Sequence, residues 1–116
     1  MHEMSLAVSL VRRVEAEAAK AHLVRVTEVD VQVGTLQAVE PELFSEAFKA
    51  ASLGTRAEGA DLHLTSVHAE ASCLICGENY EPQWADFQCP ACGLAEPQIL
   101  QGRDMVLAAV SGEADQ

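Results

Sequence analysis

Positive charge is scarce in this chain. Seven lysines and arginines stand against eighteen acidic side chains, a formal net charge of −11. The seven (Arg12, Arg13, Lys20, Arg25, Lys49, Arg56 and Arg103) are scattered. Nucleic-acid binding leaves a basic patch or stripe, and none is visible, so a nucleic-acid partner is not expected. Aromatic residues are few as well: three Phe, one Tyr and one Trp. The core must therefore be built from Val, Leu and Ala, each large aliphatic side chain contributing roughly 1.5–3 kcal/mol on burial. So small a core leaves little margin, and a metal cross-link would help one part of the chain to fold. No apolar run approaches the ~18 residues of a transmembrane helix. The start of the chain lacks a basic region followed by an apolar run and a cleavage site. The expectation is a cytoplasmic protein with no membrane insertion. Thiols stay reduced there, so paired Cys-x-x-Cys motifs read more naturally as metal ligands than as disulfides.

What is present is ordered along the chain. The length of 116 residues suits one domain, or one domain with a small insert. Over residues 4–21, Ala7, Leu10, Val11, Val14, Ala18 and Ala21 recur at helical spacing. Residues 25–33 switch to period two, Thr27, Val29, Val31 and Val33 against Glu28, Asp30 and Gln32, which predicts a strand ended by Gly34. Helical spacing returns over 41–53. Pro41 suits the first position, Glu42 the first turn, and Gly54 the position past the end, while Leu43, Phe44, Ala47, Phe48 and Ala51 form the stripe. A second strand is expected over 60–68, with Leu62 and Leu64 inward. A last one is expected over 103–110, apolar on both faces and so placed inside the sheet. Ser111 to Gln116 reads as an acidic, frayed tail. Periodicity is lost between 71 and 97, where all four cysteines and three of the four prolines lie. The predicted fold class is α+β: two helices on a three-stranded sheet, with an inserted four-cysteine ribbon. Residues 1–70 and 98–116 form a discontinuous domain and residues 71–97 the insert.

Cys73-Leu-Ile-Cys76-Gly77 and Cys89-Pro-Ala-Cys92-Gly93 are two knuckles separated by twelve residues. In a knuckle the chain wraps around a metal, with backbone N–H groups aimed at sulfur. Glycine after the second cysteine tolerates the positive φ of the turn. Two such pairs supply tetrahedral sulfur coordination, suited to Zn(II) at ~2.3 Å. Iron fits the same donors, and Tyr80 between the knuckles resembles a rubredoxin site, although a rubredoxin joins its knuckles by a longer loop. Free or disulfide-bonded cysteines are the plainer alternative. A closed four-thiolate site has no open position and serves structure rather than turnover. The sequence shows no nucleophile with a nearby general base, so an enzyme is not expected.

The opening Met1-His2-Glu3 is the second candidate site. The α-amine, the amide nitrogen of His2 and its imidazole Nδ1 can form fused chelate rings, and Glu3 can add an amide nitrogen or carboxylate. Nitrogen-rich planar donors favour Ni(II) or Cu(II). A frayed surface histidine is the plainer alternative. Among the other histidines, His22 complements a helix C-terminus, His63 faces solvent, and His68, just before the ribbon, is a further candidate donor. Glu40 is either a helix cap or a carboxylate near the N-terminal site.

Five segments in order, Met1-His2-Glu3-Met4-Ser5-Leu6, Val39-Glu40-Pro41-Glu42-Leu43 with Ala47-Phe48, Gly54-Thr55 through Leu62, the two cysteine pairs, and Gly102-Arg103-Asp104-Met105, resemble the HypA/HybF family of nickel metallochaperones. The resemblance implies Ni(II) ligation by His2, with Met1 and Glu3 beside it, and Zn(II) on the four cysteines. It also implies delivery of nickel to the [NiFe] hydrogenase large subunit together with the GTPase HypB. It leaves the oligomeric state open, a homodimer included. Many members carry Ser-Gly before the Val-Glu-Pro run, where this chain has Gln37-Ala38. Basic residues and glutamates common in the family's last strand are replaced by Val106-Leu107-Ala108-Ala109. The rival function is a ribbon that only binds a protein partner.

Overall fold

The computed structural model describes residues 2–114, and Met1 of the N-terminal candidate site lies outside them. The elements run α1 (Glu3–Lys20), β1 (Leu23–Gly34), a single 3₁₀ turn (Thr35–Gln37), α2 (Pro41–Ala51), β2 (Asp61–Val67), β3 (Glu70–Cys73), β4 (Asn79–Tyr80), β5 (Pro97–Gln101) and β6 (Met105–Ala114). Two three-stranded sheets result, ordered β2-β1-β6 and β4-β3-β5. The chain divides into two compact units. One holds residues 1–31, 39–65 and 107–116, and the other residues 32–38 and 66–106.

In the first unit, α1 buries Ala7, Leu10, Val11, Val14 and Ala18, and packs against α2, which buries Phe44, Ala47 and Phe48. Ala21 does not join this stripe. It is exposed and caps the helix, its N–H donating to Glu17 O at 3.1 Å, and His22 follows in the left-handed region at φ 58°. Leu43 is also solvent-exposed, because the arc of α2 facing α1 is already filled by its two phenylalanines. Glu40 caps α2, accepting from the Glu42 N–H. Gly54 takes φ 78°, and its N–H donates to Glu58 Oε1 at 2.8 Å. β1 buries Val29 and Val31 as their alternation requires, with Thr27 and Val33 half-buried. Val26, in the opposite phase, is buried too, its N–H held by Arg56 O at 2.8 Å. The Arg56 N–H in turn donates to Glu15 Oε1 on α1.

The last strand departs from expectation twice. β1, not β6, is central, so β6 is an edge, and of its apolar run only Met105 is buried while Val106, Ala108 and Ala109 are exposed. The expected tail is strand through Ala114. Ser111 O accepts from Thr27 Oγ1, and Gly112 packs so tightly on Arg25 that a Cβ would stand 2.0 Å from its carbonyl oxygen.

In the second unit β3 pairs antiparallel with both β4 and β5, Ala71 facing Tyr80 on one side and Ile99 on the other. β3 and β4 fall at or within the stretch where periodicity had vanished, whereas β5 runs past it, into residues the sequence had assigned to the other domain. A second crossing lies where Gly34 meets Gly102: Gly34 N donates to Asp104 O at 2.9 Å and Leu36 N to Gly102 O at 3.0 Å.

Candidate metal centre

The ribbon's short sheet sets its knuckles. Cys73 ends β3, and its N–H donates to Glu78 O at 2.8 Å, closing the first turn. The second knuckle repeats that bond from Cys89 N to Leu94 O at 2.9 Å. Inside each turn the glycine N–H bonds back to the first cysteine, Gly77 to Cys73 O and Gly93 to Cys89 O, and both glycines sit near φ 80°. The four sulfurs converge. Cys73 Sγ is 3.6 Å from Cys92 Sγ, Cys76 Sγ is 3.6 Å from Cys89 Sγ, and all four ligand atoms lie within 4.8 Å of one another. A regular tetrahedron with metal–sulfur bonds of ~2.3 Å has edges of ~3.8 Å. A disulfide needs sulfurs at ~2.05 Å, and all four cysteines are free. The donor set therefore fits one tetrahedral metal ion. Each knuckle offers one buried cysteine, Cys73 or Cys89, and one exposed, Cys76 or Cys92.

The acid–base state of the sulfurs follows from their crowding. The Cys76 N–H reaches Cys73 Sγ at 3.5 Å and, with the Ile75 N–H, holds the Cys73 thiol down at about 7. For Cys76 the Glu78 N–H pulls the same way, but burial and the neighbouring sulfurs outweigh it and raise the thiol to about 12. Cys92 is raised by the same balance, its Leu94 N–H overcome by burial and by Cys73 and Cys89. Four thiolates without a cation would repel, so protons stay on; a divalent cation replaces them. Tyr80 stands against the cluster. Its hydroxyl donates to Phe87 O at 2.6 Å, and burial, then the sulfur charges, raise its pKa. The sequence placed Tyr80 between the knuckles, as in a rubredoxin, but did not disclose its bond to Phe87.

At the other candidate site His2 is the N-cap residue of α1. Its carbonyl accepts from Leu6 N at 3.1 Å and from Ser5 Oγ at 3.0 Å, while its imidazole makes no capping bond and the residue is exposed. The Glu3 carboxyl is held below its usual range, first by the chain's α-amino group and then by backbone N–H groups, that of Glu40 among them. The segment before α2 thus meets the start of α1 through the Glu40 backbone N–H, while the Glu40 carboxylate caps α2, the first of the two roles the sequence offered it. Two of the other histidines have local partners. His63 pairs with Glu28 at 3.4 Å, and His68 Nδ1 with Glu81 Oε1 at 3.0 Å.

A four-thiolate ribbon joined to an α/β unit whose first helix opens on an exposed histidine defines a small metal-handling protein. Residues 1–112 match the family described as "Hydrogenase/urease nickel incorporation, metallochaperone, hypA", and the chain belongs to this HypA family of nickel metallochaperones acting in hydrogenase maturation. It is 41% identical to the hydrogenase maturation factor HypA of Roseiflexus sp. (strain RS-1), covering 99% of this chain and 94% of that one. It is 36% identical to that of Aquifex aeolicus (strain VF5), covering 99% and 100%. The solution structure of the Ni metallochaperone HypA from Helicobacter pylori superposes with a TM-score of 0.74 at 27% identity, covering 99% and 100%.

Proposed function

We propose that this chain carries Ni(II) on Met1, His2 and Glu3 and hands it on for maturation of [NiFe] hydrogenase. In this reading Cys73, Cys76, Cys89 and Cys92 hold a structural Zn(II). The observation that carries the nickel reading is the placement of His2: exposed, at a helix N-cap, with its imidazole not spent on capping. Its backbone carbonyl anchors the first helical turn, so the donors are held to the fold yet open to exchange. The depressed Glu3 carboxyl keeps a negative charge beside them, favouring a cation. Zinc fits the ribbon because four crowded sulfurs at tetrahedral spacing leave no open coordination position. In this reading the chain acts as a carrier rather than an enzyme. Its counterparts are the GTPase HypB and the hydrogenase large subunit, met in the cytoplasm. The working division is a nickel-binding domain of residues 1–70 and 98–116 and a zinc ribbon of 71–97. The exposed edge of β6 also offers a homodimer contact, which sedimentation would detect.

Untagged protein, its zinc content measured beforehand, is titrated with Ni(II) beside its His2→Ala variant. Wild type should bind about one nickel, and the variant should lose it while retaining zinc. Equal binding by both, or by neither, would move the function to a ribbon adaptor without nickel transfer.

A further inference from the structure

The two knuckles that enclose the metal carry three large apolar side chains that nothing covers. Leu74 and Ile75 lie between the ligands of the first knuckle, and Leu94 lies two residues past the second. They are 64%, 60% and 51% exposed. Because the four sulfurs lie within 4.8 Å of one another, these residues share one end of the unit. A fold so short of large apolar side chains would gain by burying all three, yet it presents them to solvent. The charged residues tied to that end are acidic. No lysine or arginine occurs between Arg56 and Arg103. Glu78 and Glu96 flank the first knuckle, their carbonyls accepting from Cys73 N and Leu74 N, and both are exposed. Four thiolates on a divalent ion contribute a further net negative charge.

We infer that the Leu74–Ile75–Leu94 end of the ribbon is a docking surface for a partner-protein segment that pairs apolar side chains with flanking lysine or arginine. Exposed apolar surface rimmed by charge marks association sites, and complementary charge sets which partner is accepted. A second copy of this chain is the wrong occupant of this surface, since it would set Glu78 and Glu96 against their own counterparts. The surface is independent of nickel at the N-terminus. It rests on the metal-filled ribbon of the proposed function, so zinc content is measured first and failure to hold zinc is read separately.

The test uses the zinc-loaded full chain and a short amphipathic peptide of leucine and lysine, with a leucine–glutamate peptide as its counterpart. Trp84, the single tryptophan, reports binding by fluorescence, and amide chemical shifts report its place. The lysine peptide should shift the amides of residues 73–76 and 92–96, and the glutamate peptide should not. The exposed pair Leu74→Ser with Leu94→Ser should keep zinc and weaken binding roughly tenfold. Glu78→Gln with Glu96→Gln should weaken it roughly threefold or more, whereas Asp30→Asn with Glu46→Gln, the same loss of charge in the other unit, should change it less than about twofold. Equal binding by the serine variant overturns the proposal. So does equal weakening by the two charge variants, which would mean diffuse attraction, or self-association through the leucines, which would make the occupant a second copy.

Discussion

At the scale of single residues, backbone conformation decides more than side-chain chemistry. Ala38 sits at φ 52°, ψ 41°, the left-handed region that costs a residue with a Cβ roughly 1–2 kcal/mol. The neighbouring Gln37 ties this turn down, its Nε2 donating to Arg103 O at 2.7 Å. Ala38→Gly should therefore raise stability by about 1 kcal/mol, read as a higher denaturant midpoint; a lower midpoint would mean that unfolded-state freedom outweighs the relieved strain. The converse holds at Gly102. It lies at φ 85°, and a Cβ would meet Ala69 Cα at 2.4 Å, backbone that cannot swing aside. Gly59, at φ 79°, has open space around it. Gly102→Ala should cost the strain plus the clash, about 3 kcal/mol or more, against about 1 kcal/mol for Gly59→Ala. Equal losses would show that only the dihedral matters. The sequence marked Gly34 as a strand end, but nothing in it linked that glycine to Gly102, because the encounter joins positions far apart in the chain.

At the scale of elements, what was legible was whatever had a local period. α1, α2 and β1 each bury a repeating face, and the spacing of Leu10, Val14, Val29 and Val31 announces it. Ends and partners were not local. Ser111-Gly112-Glu113 has the composition of a loop, yet it is strand because Gly112 lets β6 approach the Arg25 carbonyl, a role glycine takes where two backbones crowd. β6 read as a central strand because its middle is apolar on both faces, while its actual place is set by β1 pairing on both sides. The ribbon's strands, two to five residues long, are too short to show alternation, though the cysteine spacing located the site they build. The energetics of the ribbon follow from that shortness. With few buried apolar residues, its order depends on the metal. Cys89→Ala or chelation should release metal and abolish amide protection across 71–97, while the Phe44–Phe48 helix and α1 keep theirs. A loss of protection in α1 and α2 as well would mean that the two units do not fold separately.

For the whole molecule, the governing quantity is charge. A chain at −11 gains electrostatically from every cation it holds, and the sulfur cluster sets the pH at which it holds one. In the metal-free site Cys76 is raised to about 12 and Cys92 is raised as well, so both are protonated at neutral pH; Cys73, at about 7, is divided between thiol and thiolate. Metal requires all of them as thiolates. Binding at neutral pH must therefore expel at least two protons, and the apparent affinity falls as pH falls, by roughly a hundredfold or more per pH unit. Below pH 7 the Cys73 proton joins the competition and the fall steepens. The sign is that of a raised thiol in the apo form: protons stabilise the metal-free state, so acid favours release. Titration of zinc in buffers of differing ionisation heat counts the protons directly. Two or more per zinc at pH 7.5, rising as the pH is lowered, is the expected outcome. A count near zero would mean the sulfurs are already ionised without metal, which would require a cation or a set of N–H donors that the knuckles do not supply.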